Sequence, residues 1–267
     1  MIMTYSTKDQ TLALLMRAEG NFISGEDASK SMGLSRASVS AAVRSLRDDG
    51  YAIESVTNRG YRLTEQPDSI NTGTMLAGLS PERMERVICL SETASTKGYL
   101  MELAQENTPD GQVVLAEMQT AGRGRTGRRF DSPQGQGIYL SYLIRPDIHD
   151  GKSALIENWR SITQNVGIVV CNTLEEACGI TPVMQENALF INQRKLCGIL
   201  TQTDMEVESG MLRALVVGIG IYVHHRESDL DPVENMTSLD IETGRQNCRP
   251  AIASKLILSL DALRNTI

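Results

Sequence analysis

The sequence predicts an α/β protein of two domains. Two patterns carry this reading. Residues 1–65 hold three helix signals followed by a short hairpin, and from residue 81 onward apolar strand-like runs alternate with helical ones. A chain of 267 residues leaves room for two cores. No apolar stretch approaches the roughly 18 residues of a membrane span, and MIMTYSTKDQ lacks the apolar centre of a secretory signal. Cys89, Cys171, Cys178, Cys197 and Cys248 are odd in number and scattered, with no CxxC pair, which reads as reduced thiols in a cytoplasmic protein. His149, His224 and His225 make no zinc pattern with them, so no metal site is expected.

Within residues 8–18, Leu12, Leu15 and Met16 share one face, as an amphipathic helix needs, and Gly20 stops it. Ser24 stands three residues before Asp27, an N-cap with an acid in the first turn. The second helix, 25–32, ends at Gly33. Ser35 caps a third helix that runs to about Asp48 with Val39, Val43 and Leu46 inward. Helix, glycine turn, helix is a helix-turn-helix. Tyr51–Ser55 then alternates as a strand, Asn58-Arg59-Gly60 is a turn, and Tyr61–Leu63 returns. A hairpin in that place makes the domain a winged helix-turn-helix.

The net charge of −7 argues against a protein coated for bulk nucleic-acid binding. Residues 1–65 are nevertheless neutral, with eight basic and eight acidic residues, so the negative balance falls on the rest. The third helix presents Ser35, Arg36, Ser38, Ser40 and Arg44 on polar positions, suited to phosphates and base edges in a major groove. Arg59 tips the wing. A merely solvated polar face is the alternative, and the wing beside it favours DNA. Residues 66–80 carry Pro, Asp, Ser, Asn and Gly and read as a linker with a short helix near its end, leaving 81–267 as the second domain.

In that second domain RVICL reads as a strand, SETASTKGYLMELAQ as a turn entering a helix, VVLAEMQ as a strand and GIYLSYLIRP as another. Between the last two lies Gly122-Arg123-Gly124-Arg125-Thr126-Gly127-Arg128. Glycine lets backbone approach a ligand closely and Arg brings forked donors to phosphate and carbonyl oxygens. The interleaving fits a loop that orders over an anion better than it fits a basic solvated loop.

GRGRTGRRF followed by SPQGQGIYLSYLIRP resembles the adenylate-binding loop of the biotin protein ligase/repressor (BirA) family. RKLCGIL at 194–200 is similar to the family's RKLAGIL, and VVGIGI at 216–221 to its GIGINV strand. The resemblance runs from about residue 8 to about 240. It implies a class II aminoacyl-tRNA-synthetase-like domain built on a mixed sheet. It also implies that Lys195 contacts the activated biotin, that Gly198 permits close approach, that Gln119 contacts biotin, and that Ser95 and Thr96, which match the Ser-Thr of the family's DSTN segment, belong to the biotin or adenylate site. Arg123 joins Lys195 as a catalytic candidate if ligase activity survives. Gly122, Gly124, Arg125, Gly127, Arg128, Asn187, Gly218 and Gly220 complete the expected biotin or adenylate site. In the family reaction, biotin's carboxylate attacks the α-phosphate of ATP, and a carrier-protein lysine then attacks the biotinyl-AMP.

Four departures stand out against that pattern. Where the family has KWPND or KWVND, this chain reads Met184-Gln185-Glu186-Asn187-Ala188, losing the lysine and aspartate that serve phosphate and metal. The DSTN segment is Ala94-Ser95-Thr96-Lys97, and the GIGINV asparagine is Tyr222. The chain ends at Ile267, where the family usually continues into a C-terminal domain of roughly 50 residues, small for a domain, that helps ATP and carrier-protein binding; on this reading it is missing.

The losses fall on metal, phosphate and carrier, while the ligand loop and Lys195 remain. The expectation is therefore a DNA-binding repressor that senses biotin or biotinyl-5'-AMP, with weak or lost ligase activity. Operator DNA and a ligand-linked homodimer are its expected partners. An active bifunctional biotin–[acetyl-CoA-carboxylase] ligase and biotin operon repressor is the alternative; only then are ATP, Mg²⁺ and the biotin carboxyl carrier protein expected. A pocket that has moved to another small acid or nucleotide is the third reading.

Overall fold

The computed structural model describes residues 5–106, 108–146, 161–206, 212–230 and 235–266. His149 lies outside them. The chain divides into two compact units, Met1–Glu85 and Arg86–Ile267.

In the first unit, helices α1 (Thr7–Arg17), α2 (Gly25–Met32) and α3 (Arg36–Asp48) precede strands β1 (Ala52–Val56) and β2 (Gly60–Glu65). Serine hydroxyls open all three helices. Ser6 accepts the Asp9 N–H at 3.1 Å, Ser24 that of Asp27 at 3.0 Å and Ser35 that of Ser38 at 3.0 Å. Gly33 closes α2 in the left-handed conformation at φ 64°. The core joins Leu12 and Leu15 of α1, Val43 and Leu46 of α3, and Tyr51 and Ile53, with Met16, Ile23, Tyr61 and Leu63 packed against it. β1 and β2 pair antiparallel as a hairpin, Val56 opposite Gly60. A winged helix-turn-helix therefore forms where the capping and turn residues place it.

The hairpin is tied back to the segment before α2. Ile23 and Tyr61 exchange backbone hydrogen bonds at 2.8 and 2.9 Å. Gly60 makes that approach at φ 99°, and a Cβ there would lie 1.9 Å from the Ile23 carbonyl oxygen. Gly60→Ala is expected to destabilise this unit by about 2–4 kcal/mol, from strained backbone plus a clash with main chain that cannot yield. A urea titration followed by circular dichroism measures it; an unchanged midpoint would show that the wing can swing off Ile23 without loss.

Residues 66–80 contain the short helix expected near their end, but the segment belongs to the first unit and does not stand apart as a linker. Helix α4 (Thr72–Gly78) opens on a capping box, in which Thr74 N–H donates to Asn71 Oδ1 at 3.1 Å and Asn71 N–H to Thr74 Oγ1 at 3.0 Å. Met75 and Leu76 are buried, and Gly73 abuts Leu12 of α1. The polar, turn-rich composition belongs to the cap, while the apolar residues after it add a layer to the first unit, which α5 (Pro81–Met84) completes.

The second unit is a seven-stranded mixed sheet in the order β3-β4-β5-β9-β8-β7-β6. Its strands are β3 (Val87–Leu90), β4 (Val113–Ala116), β5 (Gly137–Ile144), β6 (Val183–Gln185), β7 (Ala188–Ile191), β8 (Arg194–Met205) and β9 (Leu212–Tyr222). β3 and β4 run parallel and the other neighbours antiparallel. Every residue of β5 is buried, because both faces of the sheet are covered. On one face, Leu100 and Ala104 of α6 (Thr96–Gln105) pack with Val114, Leu143, Ala214 and Val216. On the other lie α7 (Ile162–Cys178) and α9 (Arg249–Arg264), which pack on each other; Tyr142 of β5 donates to Asp261 of α9 at 2.6 Å. A short α8 (Leu239–Thr243) precedes α9. No helix of the described residues is long and apolar enough to cross a membrane.

Candidate ligand pocket and DNA surface

Strand periodicity builds the pocket floor. Residues two apart on a strand share a face, so Gly218 and Gly220 continue the face that Ala214 and Val216 turn toward α6. Gly198 of β8 is the register partner of Gly220. Three glycines on one face leave a depression in a sheet whose neighbouring positions carry larger side chains such as Val216, Leu200 and Tyr139. It forms a cavity of about 270 Å³ bounded by the start of α6, the glycine–arginine loop and the β6–β7 hairpin.

Of the residues expected from sequence, Ser95, Thr96, Gln119, Arg123, Gly124, Arg125, Arg128, Asn187, Lys195, Gly198, Gly218 and Gly220 line this one cavity. Gly122 and Gly127 do not. A Cβ at Gly122 would meet the Phe130 carbonyl oxygen at 2.5 Å, so this glycine lets the loop fold on itself. Gly127 turns the loop at φ 76°. Three separated segments fix the polar end. Gln119 Oε1 accepts from Thr96 N–H at 2.9 Å and Thr96 Oγ1 at 3.1 Å, while Gln119 Nε2 donates to Ser132 Oγ at 2.9 Å. Thr96 Oγ1 also bonds Ser141 Oγ at 2.9 Å. The Gln119 amide is therefore oriented before any ligand arrives.

The lining also includes residues outside the site expected from sequence, among them Lys97, Phe130 and Tyr222. Phe130 stacks on Tyr222 with centroids 5.0 Å apart and planes at 14°, and Tyr222 meets His225 edge-on. The Phe130 ring rests on the glycine floor, 2.3 Å from where a Cβ at Gly220 would stand. An aromatic directly after a basic loop was the available signal. Lys97 lies half-buried in the first turn of α6, its stem against Gly218, and burial lowers its pKa from the ordinary lysine value. On the far side, Arg125 pairs with Glu186 at 2.7 Å, joining loop to hairpin.

The replaced hairpin positions do not act alike. Met184 pairs with Leu189 and Gln185 with Ala188, so residues 184 and 188 face opposite sides. Ala188 lines the cavity and brings only a methyl group. Met184 packs its thioether onto Gly167 of α7, where an added Cβ would lie 1.8 Å from the sulfur. Asn187 is held by its own hydrogen bond to the Ile199 carbonyl at 3.1 Å. Magnesium requires oxygen ligands, usually a carboxylate beside the substrate phosphates, and no described residue lining the cavity carries a carboxylate. Nowhere among the described residues do three His, Cys, Asp or Glu side chains gather as a metal site. The donor set does not fit Mg²⁺.

In the first unit, Arg36, Ser40 and Arg44 recur every fourth residue along α3, so they form one stripe. Both arginines are exposed. Arg36 bonds Glu26 of α2 at 2.6 Å, an exposed pair worth little in water and easily exchanged for phosphate. Ser35 and Ser38 share a hydrogen bond at the helix start at 2.8 Å. Arg59 lies over the Phe22 ring at 4.2 Å, beside Arg62 at 4.6 Å, so the wing tip is held by cation–π contacts.

Residues 88–221 match the biotin/lipoate A/B protein ligase family, and residues 7–62 match an HTH domain. Fold and pocket thus define a ligase-fold protein that carries a helix-turn-helix. Across 97% of its length the chain is 33% identical to the bifunctional ligase/repressor BirA of Bacillus subtilis (strain 168), covering 78% of that protein. It is 32% identical to the BirA of Escherichia coli (strain K12) over 96% of this chain and 77% of the other. The chain belongs to the bifunctional ligase/repressor (BirA) family. Among solved structures, biotin protein ligase from Aquifex aeolicus in complex with biotin and ATP superimposes with a TM-score of 0.55 at 28% identity, over 68% of this chain and 71% of that one.

Proposed function

We propose that this protein is a DNA-binding transcriptional repressor whose ligase-type domain senses biotin or biotinyl-5'-AMP, with ligase activity weak or lost. The observation that carries the reading is a cavity lined by arginines and lysines with no carboxylate among its described lining residues. The loop arginines, Lys195, the fixed Gln119 and the glycine floor converge on one cavity, where Ala188 offers a methyl in place of a carboxylate. Within this reading Lys195 and Arg123 hold the oxygens of an acyl adenylate, and Phe130 over the floor shuts out water. A ligand-linked homodimer and a cytoplasmic location belong to the same reading; for the latter, no disulfide joins the five cysteines. The second reading is an active bifunctional biotin–[acetyl-CoA-carboxylase] ligase and repressor, using ATP, Mg²⁺ and a carrier protein. Family membership along 97% of the chain favours it. Calorimetry with biotin and with biotinyl-5'-AMP, beside a carrier-biotinylation assay, separates the two: binding without transfer supports the sensor, and transfer at the rate of a complete ligase replaces it.

The DNA arm has its own test. Arg36→Ala and Arg44→Ala are each expected to weaken operator binding by about 1–3 kcal/mol if the side chain reads a base. Arg59→Ala is expected to weaken specific and non-specific DNA alike, since a wing-tip cation meets the backbone. Gel-shift titrations measure both. Unchanged affinity in the two α3 variants would move the interface off this helix.

A further inference from the structure

We infer that the cavity takes a metal-free phosphate anion of nucleotide size, with the Lys97 ammonium supplying positive charge that a magnesium-dependent site draws from its metal. The inference rests on the ligand-pocket reading above and names the charge state of what that pocket binds. Its first support is the sign of the lining. Lys97, Arg123, Arg125, Arg128, Arg129 and Lys195 line the cavity, and no described carboxylate does. A hydrated dication entering there meets like charges and no carboxylate ligand, whereas a phosphate meets cations of opposite sign.

The second support is the placement of Lys97. It stands in the first turn of α6, where backbone N–H groups add to the positive field. Its stem lies along Gly218, with Cβ and Cδ at 3.6 and 3.7 Å from where a Cβ of that residue would be. A side chain at 218 larger than a methyl would lift the lysine off the sheet, so this glycine sets where the ammonium stands. Among the described residues no carboxylate pairs with Lys97. Burial therefore disfavours its charge, and a bound anion would restore what is missing. The third support is the hairpin. Ala188 gives the cavity no oxygen, and Met184 is turned to α7, so neither replaced position competes with Lys97 for the phosphate. Magnesium on a polyphosphate would cancel charges that the arginines and lysines are placed to meet. Free ATP should therefore bind at least as well as its magnesium complex.

The test is calorimetric titration of the full chain with AMP and with ATP, in EDTA and in excess MgCl₂. It is run on the parent, Lys97→Gln and Lys97→Arg, with circular dichroism to confirm that both variants fold. ATP is expected to bind in EDTA as tightly as in magnesium or more so, and AMP to bind equally in both. Lys97→Gln should weaken both nucleotides by about tenfold in EDTA, the scale of one charged hydrogen bond, and Lys97→Arg should restore most of that loss. Tightening of ATP by magnesium of about tenfold, a whole metal-linked contact, would overturn the inference. So would equal affinity of parent and Lys97→Gln, or no nucleotide binding in EDTA. Biotin and biotinyl-5'-AMP form a separate arm. If nucleotides bind metal-free through Lys97 and neither biotin compound binds, the biotin reading falls and this one stands. If biotin binds while ATP requires magnesium, the reverse holds.

Discussion

ATP–pyrophosphate exchange with biotin is expected to run at background in the parent protein and to rise by about 10²–10³ in the Met184→Lys, Ala188→Asp double variant, the scale of restoring one well-placed electrostatic group. Adenylation develops charge on the α-phosphate and on the departing pyrophosphate, and something fixed must meet it. In this chain the hairpin end of the cavity meets it with the Ala188 methyl group. Because residues 184 and 188 face opposite sides of the hairpin, the aspartate should carry most of the gain. A lysine at 184 starts from the α7 side, where the Met184 thioether now lies against Gly167. The two effects fall within one cluster and need not multiply. The single Ala188→Asp variant belongs in the same assay. Robust exchange by the parent would establish the active-ligase reading. Exchange by neither form, with no biotin binding, would move the pocket to another small acid or nucleotide.

Lys195→Ala is expected to weaken biotinyl-5'-AMP by roughly 1.5–3 kcal/mol, about ten- to 150-fold in Kd, the range for a hydrogen bond to a charged group. Lys195 lies on β8, its backbone fixed on both sides. Its N–H donates to the Asn235 carbonyl at 2.8 Å and its carbonyl accepts from Thr237 at 2.9 Å. Removing the side chain beyond Cβ therefore leaves the strand in place and isolates the ammonium. Calorimetry on both proteins decides it. Equal affinity would take Lys195 out of the site and leave the loop arginines to hold the ligand.

Much of the first unit was legible because its signals are local. Ser24 and Ser35 cap the helices they precede, Gly33 closes α2, and Asn58-Arg59-Gly60 turns the wing. Each depends on residues within about one turn of itself. The short helix α4 was expected, but not its packing into the first unit, since Asn71 and Thr74 form a capping box from the same residue types that mark a loop. The pocket's principal members were visible through the motifs of the loop and of β8. What composition and motif could not give was convergence. Thr96, Gln119 and Ser141 meet from three elements, Phe130 reaches Tyr222 across 92 residues of sequence, and Arg249 is buried against Glu117 from 132 residues away. The opposed facing of Met184 and Ala188 needed the strand register; the sequence alone reads both as losses at one site.

The glycine floor also sets the routes by which such a pocket could change its guest. Replacing glycine by alanine is a single-base change in the gene, and here the three positions respond on a graded scale. A methyl at Gly198 would stand 3.5 Å from the Phe130 ring, an ordinary contact. At Gly218 it would stand 3.5 Å from the Leu200 carbonyl oxygen and graze the stem of Lys97. At Gly220 it would stand 2.3 Å from Phe130 and evict the ring from its stack with Tyr222. Drift through 198 or 218 trims the cavity by one methyl and leaves its aromatic cover seated. Drift through 220 removes the cover, and a lineage taking that step would have to seat Phe130 somewhere else.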